Sequence, residues 1–240
     1  MIFILSNPFL NVLIRCSFLF SFLLFPNFVF PIGDDIVKYA KMFIGTPYDT
    51  DPLGAYVRNK VVVYDKEVDC MYLVFRSVEL AFGNGDEDKS IDVALDKRFK
   101  TKGILSNGFV VNYEERFEYG EDMFLSDKWG KLVFTNTILL DKIFSERLNR
   151  YVSYVPKRNF KNVAKDIKNG SIVFFIKDPS KSKKGEVVGH LGVIESDGYN
   201  IFLIHASGSK NRGGKVVREK FQDYLKRSSY VGFVITSFDM

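Results

Sequence analysis

Apolar residues recur at two different periods along this chain, and the change between them divides it. Residues 35–43 (DIVKYAKMF) bring Ile36, Tyr39, Ala40 and Phe43 to helical spacing, and Gly45-Thr46-Pro47-Tyr48 ends that helix. Residues 61–64 (VVVY) read as a short strand. Residues 69–82 (DCMYLVFRSVELAF) read as a helix with Asp69 as N-cap and Gly83 at its end. Leu73, Val74, Phe75, Val78, Leu80 and Ala81 cover most of its faces, the pattern of a central buried helix, and Cys70 sits in its first turn. From Gly170 the pattern turns to strands, short apolar runs separated by turn signals. Strands are expected at 171–177, 187–195, 199–206, 215–218 and 230–238, with a short helix at 219–227. Asp178-Pro179, Asp197-Gly198 and Gly213-Gly214 mark turns between them. Short connections imply antiparallel neighbours, so helices followed by a strand meander predict an α+β fold. Residues 84–165 follow neither period; a loop at 84–89, an acidic run at 114–122 and Trp129 suggest mixed helix and loop.

The front of the chain differs from the rest. Residues 1–31 carry Arg15 and no acidic residue, and 16–25 (CSFLFSFLLF) is an uncharged apolar run interrupted by Pro26. A short apolar segment behind a basic residue suits an export signal, and a membrane anchor or a buried N-terminal helix are the alternatives. The expected organisation is a signal peptide or anchor over 1–31 and a single domain over 32–240, with 84–165 as an insertion or lid. The protein is then exported, to the periplasm or cell envelope.

Composition narrows the chemistry. With 240 residues, 46% hydrophobic and 26% charged, the chain can bury a core without staples. Two cysteines, Cys16 and Cys70, exclude a disulfide framework and a four-cysteine zinc site. The net charge of +5 is scattered. The basic run 177–184 lacks the interleaved aromatics of a nucleic-acid groove, so no nucleic acid partner is expected. A mild positive charge permits attraction to an anionic polymer such as a cell wall.

The two histidines of the chain, His190 and His205, carry the sharpest signal. Asp197-Gly198 is a two-residue hairpin signal, and a hairpin turned there sets His190 opposite His205 on one face. A slip of one residue separates them. Three readings follow: a surface coincidence, a metal site completed by Cys70 or Asp69, or a relay in which Cys70 is a nucleophile. In the relay, the helix N-terminus favours the Cys70 thiolate, His190 takes the thiol proton, and His205 orients His190. Taken alone, Cys70 reads as a small buried hydrophobe.

Four motifs in order carry a family resemblance. Gly45-Thr46-Pro47-Tyr48, Asp69-Cys70, Gly189-His190-Leu191-Gly192-Val193 and His205-Ala206-Ser207 resemble the NlpC/p60 superfamily of papain-like cell-wall cysteine hydrolases. The long spacing from Tyr48 to Cys70, the large segment before the sheet and the chain end resemble its N-acetylmuramoyl-L-alanine amidase-like branch. The resemblance spans residues 35–82 and 168–238. It implies a papain-like fold, with a Cys-bearing helix on an antiparallel sheet and a mixed insertion between them. It also implies catalytic Cys70, His190 and His205, with Tyr48 at the oxyanion and Asp69 near substrate amino groups. The implied activity is cysteine-dependent amide hydrolysis of peptidoglycan or muropeptides, without cofactor or metal. The implied bond is the lactyl–alanine amide, or alternatively a γ-D-glutamyl bond of the stem peptide. A non-catalytic wall-binding module and a metal-dependent amidase are the competing classes. Met71 and Tyr72 replace the family's small polar residues after the cysteine, and Gly170-Ser171 replaces a Gly-Asp pair.

Overall fold

The structure is a computed structural model that describes residues 31–135, 138–182 and 185–239. The signal or anchor reading of residues 1–31 falls, except for Pro31, outside the described residues. Among these, no helix is long and apolar enough to cross a membrane.

Helices are α1 (Ile32–Met42), α2 (Ala55–Arg58), α3 (Cys70–Phe82), α4 (Glu87–Lys97), α5 (Gly120–Leu125), α6 (Phe160–Val163) and α7 (Phe221–Arg227). Strands are β1 (Leu105–Ser106), β2 (Phe109–Val110), β3 (Lys131–Leu132), β4 (Asp141–Ser145), β5 (Arg150–Pro156) and β6 (Ile172–Ile176). They continue with β7 (Val188–Ser196), β8 (Ile201–Ser209), β9 (Gly213–Lys220) and β10 (Gly232–Ser237). The fold is α+β with an antiparallel sheet, as the period change predicts. The main sheet runs β4-β5-β10-β6-β7-β8-β9, with β3 also on β10. The meander expectation holds for β6 to β9, but β10 returns to lie between β5 and β6.

The sheet separates two apolar layers. Leu191, Val193, Ile204, Ala206 and Val234 face the side covered by α1 and α3. Val173, Phe175, Ile194, Leu203, Phe233 and Ile235 face Phe221 and Leu225 of α7, Phe160 and Val163. Strict alternation along β7 and β8 therefore gives each face its own core. The segment 61–64, expected as a strand, is irregular: Tyr64 N–H donates to the Tyr72 hydroxyl instead of to a sheet neighbour.

Helix α3 forms where the pattern puts it. The Asp69 carboxylate accepts from Tyr72 N–H at 2.8 Å, and Gly83 closes the far end. Behind it lies a buried ion network. Arg98 clamps Glu79 through Nε at 2.5 Å and Nη2 at 2.6 Å, and both residues are buried. Arg76, also buried, reaches Asp65 at 2.9 Å and Glu87 at 3.0 Å, and the Tyr72 hydroxyl donates to Asp65 at 2.8 Å.

Residues 84–165 contribute to the body of the fold. Helix α4 packs on α3, β5 and β3 pair with β10, and Met123, Phe124 and Trp129 enter the core. The hairpin β1–β2 turns at Asn107-Gly108 with φ of 51° and 81°, the left-handed pair of a type I′ turn.

The register of β7 against β8 corrects the sequence reading. Val193 pairs with Ile204 and Ser196 with Ile201, so the turn spans Asp197 to Asn200 rather than two residues. The Asp197 carboxylate builds that wider turn by accepting from Tyr199 N–H at 2.9 Å and Asn200 N–H at 2.7 Å. His190 and His205 are consequently not directly opposed. The shift is two residues, an even number, so both side chains keep the same face and meet diagonally.

Candidate functional site

Strands β7 and β8 pair only from Val193 to Ser196 and from Ile201 to Ile204, and they part beyond that. Amides along β7 point alternately to its two neighbours; Ile194 N–H donates to Ser171 beside β6, so Leu191 N–H faces the fork left by β8. The Cys70 sulfur occupies that position. The N–H groups of Leu191 and of Cys70 itself lie against it and favour its thiolate. Burial outweighs them, and with the Asp69 carboxylate it pushes the thiol up to about 12. The resting sulfur is therefore a neutral thiol, only partly exposed.

The two imidazoles form the inner part of a hydrogen-bonded chain. His190 Nε2 lies 2.7 Å from His205 Nδ1, with the rings edge to face at 84°. His205 Nε2 lies 2.8 Å from Glu219 Oε1, and Arg227 in turn grips Glu219. The His190 ring is held flat by Phe175 at 5.8 Å and Tyr230 at 6.4 Å between centroids. Burial, then the neighbouring His205, bring His190 down to about 3; burial also lowers His205, against Glu219, so the pair is neutral at physiological pH. Gly192 makes the approach possible, because a Cβ there would sit 2.9 Å from Ile204 O and 3.2 Å from His205 Cβ.

Tyr48 reaches the site from a different part of the chain. Its N–H donates to Gly214 O at 2.9 Å, and it bridges to Val68, two residues before the cysteine. Its ring rests on Gly208, where a Cβ would come within 2.6 Å of it. Burial and the nearby Cys70 hold its hydroxyl protonated, well above the usual phenol range. Asp69 caps α3 and meets Lys210 Nζ at 3.4 Å; burial raises its carboxyl above the ordinary range and Lys210 opposes that. Lys210 also donates to Asp49 O at 3.0 Å.

A groove of about 240 Å³ opens beside Asp69, lined by Leu53, Tyr56, Met71, Arg116, Tyr119 and Lys210 among others. A larger one, about 510 Å³, lies at the opposite turn of β7, but Lys41 and Arg218 there are both bound to Glu195 and none of the five predicted site residues lines it. Among the described residues, no group of three or more His, Cys, Asp and Glu is arranged to hold a metal ion.

Of the sequence candidates, His190 and His205 share one hydrogen bond, Tyr48 and Asp69 lie close enough to shift the Cys70 environment, and Cys70 touches the residue that follows His190. Sequence reasoning missed Glu219, Arg227, Tyr224, Tyr230 and Lys210. Tyr224 packs on His205 at 4.9 Å and its hydroxyl bonds to that of Tyr230. A carboxylate on the strand next to His205, at an inward register, was the signal available for Glu219: Glu219 pairs with Leu203, diagonal to His205 on one face.

A family model described as N-acetylmuramoyl-L-alanine amidase-like matches residues 135–233. That span holds His190, His205 and Glu219 and ends before reaching back to Cys70. No curated protein sequence matches. The fold matches solved structures over nearly their full length. An N-acetylmuramoyl-L-alanine amidase from Bacteroides uniformis superposes with TM-score 0.66 at 19% identity, covering 87% of this chain and 99% of that one. A structure described as a putative xylanase from Bacteroides fragilis gives 0.62 at 20%, covering 82% and 98%. A Legionella pneumophila protein gives 0.63 at 18%, covering 87% and 89%. The chain thus shares the fold of these proteins.

Proposed function

We propose that this protein is an exported, thiol-dependent amidase of peptidoglycan or muropeptides, cleaving the amide between the lactyl group and L-alanine. The observation that carries this reading is the Cys70 sulfur at the start of a buried helix, against Leu191 N–H and one residue from a hydrogen-bonded imidazole pair. The amidase-like family match and the fold shared with the Bacteroides amidase support the choice of bond.

The chemistry follows from the neutral resting state. His190 Nε2 is committed to His205, so Nδ1 is the ring nitrogen left to accept a proton. Cys70 attacks the amide carbonyl as its thiol proton passes to His190 Nδ1; transfer and attack are coupled because neither group is charged beforehand. The oxyanion is stabilised by Cys70 N–H at the helix start and by the protonated Tyr48 hydroxyl. His190 then gives the proton to the leaving amine, which departs with a thioester left on Cys70. Water, deprotonated by His190, releases the acid and restores the thiol.

Mass spectrometry of products from defined muropeptides tests this. Free stem peptide with an intact L-alanine amine is expected, and Cys70→Ala is expected to abolish its release while circular dichroism stays unchanged. Retained cleavage by Cys70→Ala overturns the thiol mechanism. Products cut within the stem identify the γ-D-glutamyl endopeptidase reading instead.

A further inference from the structure

The chain of contacts does not end at the second histidine. Glu219 sits on β9, Arg227 at the end of α7, and the guanidinium places both terminal nitrogens on the Glu219 carboxylate. Arg227 and His205 hold Glu219 ionised, below the ordinary carboxylate range, although burial works against them. An ionised carboxylate accepts hydrogen bonds and has none to give. The contact at 2.8 Å to His205 Nε2 therefore requires a proton on Nε2. In a neutral imidazole that leaves Nδ1 as an acceptor. The facing atom, His190 Nε2 at 2.7 Å, must then be the N–H donor. Reversing any one of these protons sets two lone pairs or two N–H groups against each other in a buried site, which costs the full desolvation of both.

We propose that Glu219, clamped by Arg227, is a positioning residue that fixes both imidazoles as Nε2–H tautomers and thereby leaves His190 Nδ1 as the bare, proton-accepting nitrogen. The catalytic consequence rests on the reading of Cys70 and His190 as nucleophile and base; the tautomer assignment does not. Glu219 acts three links from the sulfur, through His205 and His190, and never needs to touch substrate.

Long-range proton–nitrogen correlation spectra of the ¹⁵N-labelled protein read this directly, and two histidines make assignment simple. Wild type is expected to show protonated Nε2 and bare Nδ1 on both rings. Glu219→Leu, which removes every acceptor, is expected to lose the single tautomer on His205 and, through it, on His190. Its muropeptide cleavage should fall by ~10²-fold or more in kcat with KM little changed. Glu219→Asp, which keeps a carboxylate, should retain the wild-type tautomers. A His190 Nδ1–H in wild type, or unchanged tautomers in Glu219→Leu, overturns the proposal. Should Glu219→Leu not fold, the wild-type spectrum decides: a bare Nδ1 on both rings supports the assignment and an Nδ1–H on either overturns it. These spectra need no substrate. Wild-type protein that cleaves no muropeptide refutes the functional reading, while the tautomers are judged separately.

Discussion

Two polar networks run from exposed ends into the protein, one behind helix α3 and one beside α7, and they differ in how they end. Behind the helix, Glu79, Arg98, Arg76, Asp65 and Glu87 are bound to one another, so each carboxylate meets a guanidinium. At the sheet, Arg227, Glu219, His205 and His190 form a line that starts with a full ion pair and finishes on the neutral ring of His190, whose next residue meets the Cys70 sulfur. The first network is closed and can only hold the helix in place. The second is open at one end, and an open end is where a proton can be taken up and given back. Burial alone does not distinguish them; the difference is whether the run of ion pairs closes on guanidinium groups or continues to an imidazole.

That contrast is broken most severely at the open end. His190→Ala is expected to lower muropeptide cleavage by the folded protein by ~10³-fold or more, since it removes the proposed proton acceptor. It also empties the space beside Phe175 and Tyr230, at ~2–4 kcal/mol of unfolding free energy. Measuring cleavage and urea unfolding on the same preparation checks both halves. Glu79→Gln should cost stability alone. It leaves Arg98 buried and half-paired, so ~3–5 kcal/mol of unfolding free energy is lost, while kcat of the folded fraction stays near wild type. A kcat loss as large as that of His190→Ala would erase the distinction. Tyr48→Phe removes one proposed oxyanion donor and should reduce kcat by ~10²-fold without altering the imidazole tautomers.

A further effect is read in pH. His190 falls from an ordinary value near 6.5 to about 3 in the folded protein, so the unfolded chain takes up a proton first as pH drops. Its contribution is complete above pH 6.5 and is lost toward pH 3, at a slope of at most ~1.4 kcal/mol per pH unit. His190→Phe should remove that slope from the difference between urea curves at pH 7 and pH 4. The closed network carries no histidine and should leave the slope intact in Glu79→Gln. In the same spirit, alkylation of Cys70 by iodoacetamide should climb about tenfold per pH unit between 7 and 9, because the thiol is pushed up to about 12. A plateau in that range would mean a thiolate already formed.

Much of this was legible in the residue order. Helix α3 follows from an apolar run bracketed by Asp69 and Gly83, and the five strands expected after Gly170 are present as β6 to β10. The nearness of the histidines was legible too, although through a turn that proved two residues wider. The cause was Asp197, read as a hairpin corner when its carboxylate organises a longer loop. Residues 84–165 resisted because β3 and β5 are recruited by β10, a partner more than seventy residues away that local periodicity cannot see. The hairpin at Asn107-Gly108 is nonetheless plain in the residue order, an Asn-Gly pair between short apolar flanks. Glu219 and Arg227 lie within a helix-and-strand pattern where charges ordinarily face solvent, and only the register shows that one of them turns inward.

The pairing of the two histidine strands limits how this scaffold can drift. When one strand slips past the other, side chains reverse face with every odd step. A slip of two leaves both rings on the same face and merely slides one along the other. A slip of one turns an imidazole into the opposite core, toward helix α3. Residues added within Asp197–Asn200 are absorbed by the loop, so the parity constraint lies on the pairing of Val193 with Ile204 and not on the length of the turn.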